Sequence, residues 1–264
     1  MRQPLAIPVL LALALLAAAG CGWRLGGEVQ LTIYGAASLS GALMEAANAY
    51  ETEVTVSLAV ASDSSSALRT QIEQGAPADI FASADLTNPQ ALVDEGLAVG
   101  PVTPFARNRL AIVVPRNNPA GIGDPRDLAR PGVRIVGAGA AVPISLYVEA
   151  CLEKLAALPG YPSGYAAAVA ANVVSREDNV RAALAKVELG EADAAFVYAT
   201  DAAGSDAVGE VPIPAAANVV ATYGAVAISG SGHPAEAAAF VAWLAGPRGA
   251  GILATFGFLG PAGE

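Results

Sequence analysis

The sequence predicts an α/β fold in two lobes, and three observations carry that prediction. From Gln30 onward, short β-prone runs alternate with helical patterns at the pace of βα units. The pattern changes character once, where Phe105 to Arg109 and the apolar run Leu110 to Val114 lead into Pro115 to Pro125, a stretch rich in Pro, Asn and Gly; a second βα series begins beyond it. A last strand, Tyr223 to Ile228, and a helix from Pro234 to Trp243 follow the second series and are expected to return to the first lobe. About 220 residues of this pattern suit one large domain or two lobes, and the returning tail favours two, joined by crossing strands.

In chain order, Leu31, Ile33 and Tyr34 mark a strand that ends at Gly35-Ala36-Ala37, and Ser38 stands where an N-cap belongs before a helix running to Glu51. Val54 to Ala61 is a β-rich run, Ser64-Ser65-Ser66 start a helix carrying Leu68 and Ile72, and Gly75-Ala76-Pro77 stop it. Ala78 to Asp85 reads as a short buried strand before a helix containing Leu92 and Val93. In the second series, Val133 to Val136 is a strand, and Val142-Pro143 open a helix through Leu158. Ala171 to Val174 is then a strand, Asp178 to Leu189 a helix, and Ala194 to Tyr198 a strand.

The first twenty residues stand apart. Arg2 precedes the almost wholly apolar Leu5 to Ala19, a run short of the about 20 residues a membrane span requires, so residues 1–20 read as a secretory signal peptide. Ala18-Ala19-Gly20-Cys21 resembles a bacterial lipoprotein signal, which implies lipidation of Cys21 and a tether over residues 21–27; cleavage after Ala17-Ala18-Ala19 by an ordinary signal peptidase is the alternative.

Without residues 1–20 the chain has 13 basic and 24 acidic residues, net −11. That balance argues against nucleic acid and anionic lipid surfaces as partners. Cys151 is left without a partner and reads as a small buried hydrophobe, and one His (His233) with one Cys cannot make a usual zinc site. The chain has neither a Gly-Lys-Ser/Thr phosphate loop nor a Gly-x-Ser-x-Gly elbow.

What remains is a set of helix starts. A strand that passes through small residues into a helix leaves unpaired N–H groups at a sheet edge, where the positive end of the helix dipole favours an anion. Ser38 and the Ser64–Ser66 run supply hydroxyls at two such places. Pro143 fits a first helical position, leaving the Ile144 N–H free. Asp178 is a good N-cap, which puts the Val180 N–H in an exposed first turn. Tyr198 ends a strand, with its hydroxyl at the carboxyl edge. Taken singly, each has a plainer reading, as a helix cap or a core aromatic; the coincidence of five argues for a cleft of uncharged donors. Asp79, Asp85 and Asp201 read as caps or Asx-turns, and Arg107, Arg109 and Arg181 as structural ion pairs or rim positions.

Several stretches together resemble the periplasmic molybdate-binding proteins of ABC uptake systems, over about Gln30 to Phe258. They are Ala36-Ala37-Ser38-Leu39, Ser64-Ser65-Ser66 before Gln71-Ile72-Glu73, and Gly75 to Phe81 in the first lobe. Val142-Pro143 before Tyr147, Asn179-Val180-Arg181, and Val197-Tyr198 before Asp201-Ala202 follow in the second. The resemblance implies a two-lobed periplasmic-binding-protein fold, each lobe a mixed sheet flanked by helices with the ligand cleft between them. Lobe I would take residues 28–104 and 221–264, and lobe II residues 105–220. It implies that Ser38, Ser65, the amides of Ile144 and Val180, and Tyr198 hold molybdate or tungstate, with Ser64 or Ser66 as alternatives to Ser65, and no protein atom bonded to the metal. The sequence departs from the family at Ile144 and Ser145, where a small residue and glycine are common. The implied protein is an exported, lipid-anchored monomer that serves an ABC permease, without cofactor or catalysis. Another tetrahedral oxyanion, sulfate or phosphate, is the alternative ligand. A hydrolase using Ser38 or Ser65, with Lys154 or Lys186 as base, is the remote alternative.

Overall fold

The computed structural model describes residues 29–261. The expected signal peptide (1–20), the expected tether (21–27) and the expected lipidation site Cys21 lie outside the described residues. The first strand, β1 (Val29–Ala36), buries Leu31 and Ile33 and passes through a 3-10 turn, Ala37–Leu39, into α1 (Ser40–Glu51). Then come β2 (Val56–Asp63), α2 (Ser65–Glu73), β3 (Ile80–Ser83), α3 (Thr87–Asp94) and the 18-residue β4 (Ala98–Pro115). The second series holds β5 (Ile135–Ala138), α4 (Pro143–Ala156), α5 (Tyr165–Ala171), β6 (Val173–Glu177), α6 (Val180–Glu188), β7 (Ala194–Tyr198), α7 (Ala199–Ala203) and β8 (Val208–Val211). The chain closes with β9 (Val220–Ile228), α8 (Pro234–Ala245) and α9 (Pro247–Thr255).

Strand pairing runs β2-β1-β3-β9-β4-β7-β5-β6, with β8 added to β4. β1 is parallel to β2 and β3, and β5 is parallel to β6 and β7, as βα units require. The middle of the molecule is antiparallel: β9 pairs with β3, and β4 pairs with β9 from Ala98 to Arg109. At Leu110, β4 changes partners, taking Tyr198 of β7 opposite Leu110 and then β8 opposite Ile112 to Pro115. The chain therefore passes from one half of the fold to the other within a single strand. The β9 strand brings it back, so the tail does return to the first series.

Proline at the first turn starts α4, α8 and α9, where its missing N–H removes no helical bond. Two expectations shift. The Ala-rich stretch before β6 is a helix, α5, entered through left-handed Gly164 (φ 76°), and β6 starts at Val173 rather than Ala171. The elements β8 and α9 have no counterpart in the sequence reading.

Candidate functional site

Ser38 lies in the 3-10 turn between β1 and α1 and is 4% exposed. It does not cap α1, whose N-cap position is Leu39 with no side-chain cap bond. Its Oγ instead lies 3.0 Å from the Tyr223 hydroxyl of β9. The Gly35 position also differs from expectation. A Cβ there would run into the Leu43 side chain of α1, so the small residue serves helix-on-strand packing. Ala36 and Ala37 are the small residues that face the cleft.

The serine run divides its work. Ser64 is the N-cap of α2, its Oγ accepting the Ala67 N–H at 3.3 Å. Ser65, 1% exposed, accepts the Ala84 N–H on its Oγ at 3.0 Å, so its own proton is not committed to that bond. Ser64 and Ser65 both line the cleft, and Ser66 is not among its lining residues.

From the other half come the starts of α4 and α6. Val142 and Pro143 line the cleft at the first turn of α4. Ile144, the second residue of α4, is 2% exposed and its side chain lines a separate apolar cavity, bounded also by Leu152, Val169 and Phe196. Of the five candidates, Ser38, Ser65, Val180 and Tyr198 share the cleft lining, and Ile144 sits one residue behind it. In the neighbouring Ser145, the hydroxyl donates to the Ala138 and Gly139 carbonyls, at 3.2 and 2.9 Å, tying α4 to the end of β5.

Asn179, not Asp178, caps α6. Its Oδ1 accepts the Ala182 N–H at 3.0 Å, which makes Val180 the first helical residue. The Asn179 Nδ2 reaches across the cleft to Asp63 Oδ1 at 3.1 Å, and that same oxygen accepts the Ser64 N–H at 2.7 Å. Tyr147 of α4 makes a second crossing contact, its hydroxyl 3.4 Å from the Ala84 carbonyl.

Tyr198 ends β7, 1% exposed, and its hydroxyl has no hydrogen-bond partner among the described residues. A buried, unpaired hydroxyl costs free energy of about 1–3 kcal/mol unless something answers it. Burial pushes its pKa well above the usual tyrosine value, so it stays protonated and available as a donor. Beneath it, Asp201 is fully buried and accepts the Tyr198 N–H at 3.4 Å. Arg181 Nε lies 3.0 Å from Asp201 Oδ1, yet that oxygen has no properly aligned hydrogen bond. Burial consequently outweighs the guanidinium and raises the Asp201 pKa to about 6. Arg181 is thus directed at Asp201, and Arg107 donates to the Gly260 carbonyl at 2.7 Å; neither side chain lines the cleft.

Among the described residues, the cleft has no charged residue in its lining. Helix starts and hydroxyls converge there, with the Asp63 carboxylate bonded to Asn179 but not part of the lining, an arrangement suited to holding an anion by hydrogen bonds. Tyr223 and Asn108 lie behind that lining and were not singled out from sequence; Tyr223 is 185 residues from the serine it touches, and no local pattern joins them.

Residues 31–259 match the family model described as bacterial extracellular solute-binding protein. The molybdate-binding protein ModA of Mycobacterium tuberculosis is 34% identical over 239 residues, covering 89% of this chain and 86% of that one. ModA of Escherichia coli is 32% identical over 254 residues, with 93% and 95% covered. Among solved structures, the periplasmic molybdate-binding protein of Azotobacter vinelandii superposes with a TM-score of 0.73 at 25% identity, covering 88% of this chain and 99% of that one. The chain belongs to the bacterial extracellular solute-binding proteins, in their ModA-type, molybdate-binding branch.

Proposed function

We propose that the protein binds molybdate, or the near-identical tungstate, outside the cytoplasmic membrane and delivers it to an ABC permease. The observation that carries the reading is the buried Tyr198 hydroxyl, which lacks a partner among the described residues, in a cleft that those residues line without a charge. Ser38, Ser65 and Tyr198 would donate their hydroxyl protons, and Val180 and Ile144 their first-turn N–H groups. Because the Ser65 Oγ already accepts from Ala84, its proton remains for the ligand. No carboxylate lines the cleft to accept a proton from the ligand, which favours a fully deprotonated dianion over hydrogen phosphate.

Ser38 and Ser65 belong to the proposed lobe I (28–104 and 221–264), and Ile144, Val180 and Tyr198 to lobe II (105–220). Donors on both sides of one anion favour the closed arrangement when it is bound, and a permease that recognises the closed form would distinguish loaded from empty protein. The binding protein would act as a monomer held at the membrane through lipidated Cys21, with no catalytic step. In support, the cleft lining contains no Asp, Glu, His or Lys to serve as a general base for either serine.

Competitive titration of the exported chain with molybdate, tungstate, sulfate and phosphate tests this reading. Molybdate and tungstate are expected to displace each other at similar concentrations and to resist sulfate and phosphate in excess. Displacement by equimolar sulfate would instead assign the cleft to sulfate.

A further inference from the structure

We propose that Tyr223 and Asn108 are positioning residues that fix the direction of the Ser38 hydroxyl, so that its proton faces the cleft. The inference rests on the reading of Ser38 as an oxyanion donor. A serine hydroxyl rotates freely, and one that donates to Tyr223 would turn its lone pairs toward the anion. The direction is decided further back. Asn108 Oδ1 lies 2.9 Å from the Arg109 N–H, a donor, which identifies that atom as the carbonyl oxygen and the other as the amide nitrogen. Nδ2 then donates both of its protons, one to Thr200 Oγ1 at 2.9 Å and one to the Tyr223 hydroxyl at 3.4 Å.

The Tyr223 oxygen accepts from Asn108 and sends its own proton to Ser38 Oγ, 3.0 Å away. With a lone pair of Ser38 engaged, its proton is left for the cleft. The relay is also rigid. Asn108 and Tyr223 are fully buried. The Tyr223 ring meets Tyr198, Phe258 and Phe105 edge-on, with centroids at 5.6, 5.4 and 6.2 Å, so its hydroxyl cannot swing away. Asn108 lies two residues before β4 changes partners, and Thr200 lies two residues after Tyr198. One amide therefore fixes a serine of one half of the fold and touches the segment that follows the tyrosine of the other.

The test is a double-mutant cycle on the exported chain, with molybdate affinity read by titration calorimetry for the native protein, Ser38→Ala, Tyr223→Phe and the double variant. If Tyr223 acts through Ser38, Tyr223→Phe weakens binding about fivefold in the native background and less than about twofold when Ser38 is already Ala. Equal weakening in both backgrounds, or none in the native one, overturns the relay. Unchanged affinity in Ser38→Ala would instead remove Ser38 from the site, a result that does not depend on Tyr223. Should Tyr223→Phe fail to fold, Asn108→Ala keeps the ring and deletes the donor that sets its direction. The same non-additivity with Ser38→Ala is expected there, and additivity overturns the proposal.

Discussion

The two walls of the cleft are built from different chemistry. On the side of β1 and α2, Ser38 and Ser65 present side-chain hydroxyls, each with its oxygen engaged by another group, the Tyr223 hydroxyl and the Ala84 N–H. On the side of α4 and α6, the candidate donors other than Tyr198 are backbone amides at helix starts. The first wall depends on which residue stands at each position. The second depends on where a helix begins, and it survives a change of side chain. The large side chain of Ile144 is compatible with such a wall, since it is buried in the neighbouring apolar cavity.

The sharpest way to break the comparison is to delete an amide without breaking its helix. Val180 is the first residue of α6, where proline is tolerated, and Asn179 before it has the extended backbone (φ −154°, ψ 170°) that precedes proline well. Val180→Pro is expected to cost about 3 kcal/mol of molybdate binding, the upper end for a hydrogen bond to a charged group, or roughly 150-fold in Kd. Val180→Ala, which keeps the N–H, should stay within about threefold. Equal losses in the two variants would show that the side chain, not the amide, matters.

The second wall also contains the buried carboxylate. Asp201 is raised from 3.8 to about 6, so the folded state holds its proton more tightly than the unfolded chain does. Its contribution to stability is fully present below about pH 4 and is lost as pH rises through about 6, on the order of 2–3 kcal/mol in all. Asp201→Asn should remove that dependence. Melting temperatures of the native and Asn proteins, followed across this window, should diverge in favour of the variant as pH rises; parallel curves would refute the assignment.

Ser38→Ala and Tyr198→Phe each remove one hydroxyl donor and should weaken molybdate binding roughly tenfold or more, from the lower bound of about 1.5 kcal/mol per charged hydrogen bond. Unchanged affinity in both would remove Ser38 and Tyr198 from the proposed site. The smallest effect separates the neighbouring serines. Ser64→Ala loses the α2 cap and should lower stability by about 1 kcal/mol, with less effect on affinity than Ser65→Ala. The reverse order would transfer the donor role to Ser64.

Much of this arrangement was legible in sequence because it is local. The β7 strand occupies the expected Ala194–Tyr198, and Pro143 opens α4 as its ring predicts. The choice between adjacent caps was not legible, since Asp178 and Asn179 are both good ones; part of what singles out Asn179 is its contact with Asp63, 116 residues away. The full length of β4 was not legible, because it contains Gly100, Pro101 and Pro104, residue types that commonly interrupt strands. In the fold they coincide with register shifts between Val99 and Thr103 and between Pro104 and Ala106, which let the strand continue. Tyr223 and Asn108 carried no signal at all, because their importance lies in whom they touch.

The contact between Asp63 and Asn179 bears on time rather than affinity alone. In the proposed binding mode, an anion behind it would leave only after that 3.1 Å hydrogen bond had parted. Entry into an open cleft would require no such step, so the bridge would slow departure without slowing arrival. The Asp63 oxygen nearest Asn179 also accepts the Ser64 N–H, so a single carboxylate oxygen is held by donors from both halves of the fold. In that mode a transporter drawing the anion out would first prise these two side chains apart, and the lifetime of the loaded protein would be set at its rim.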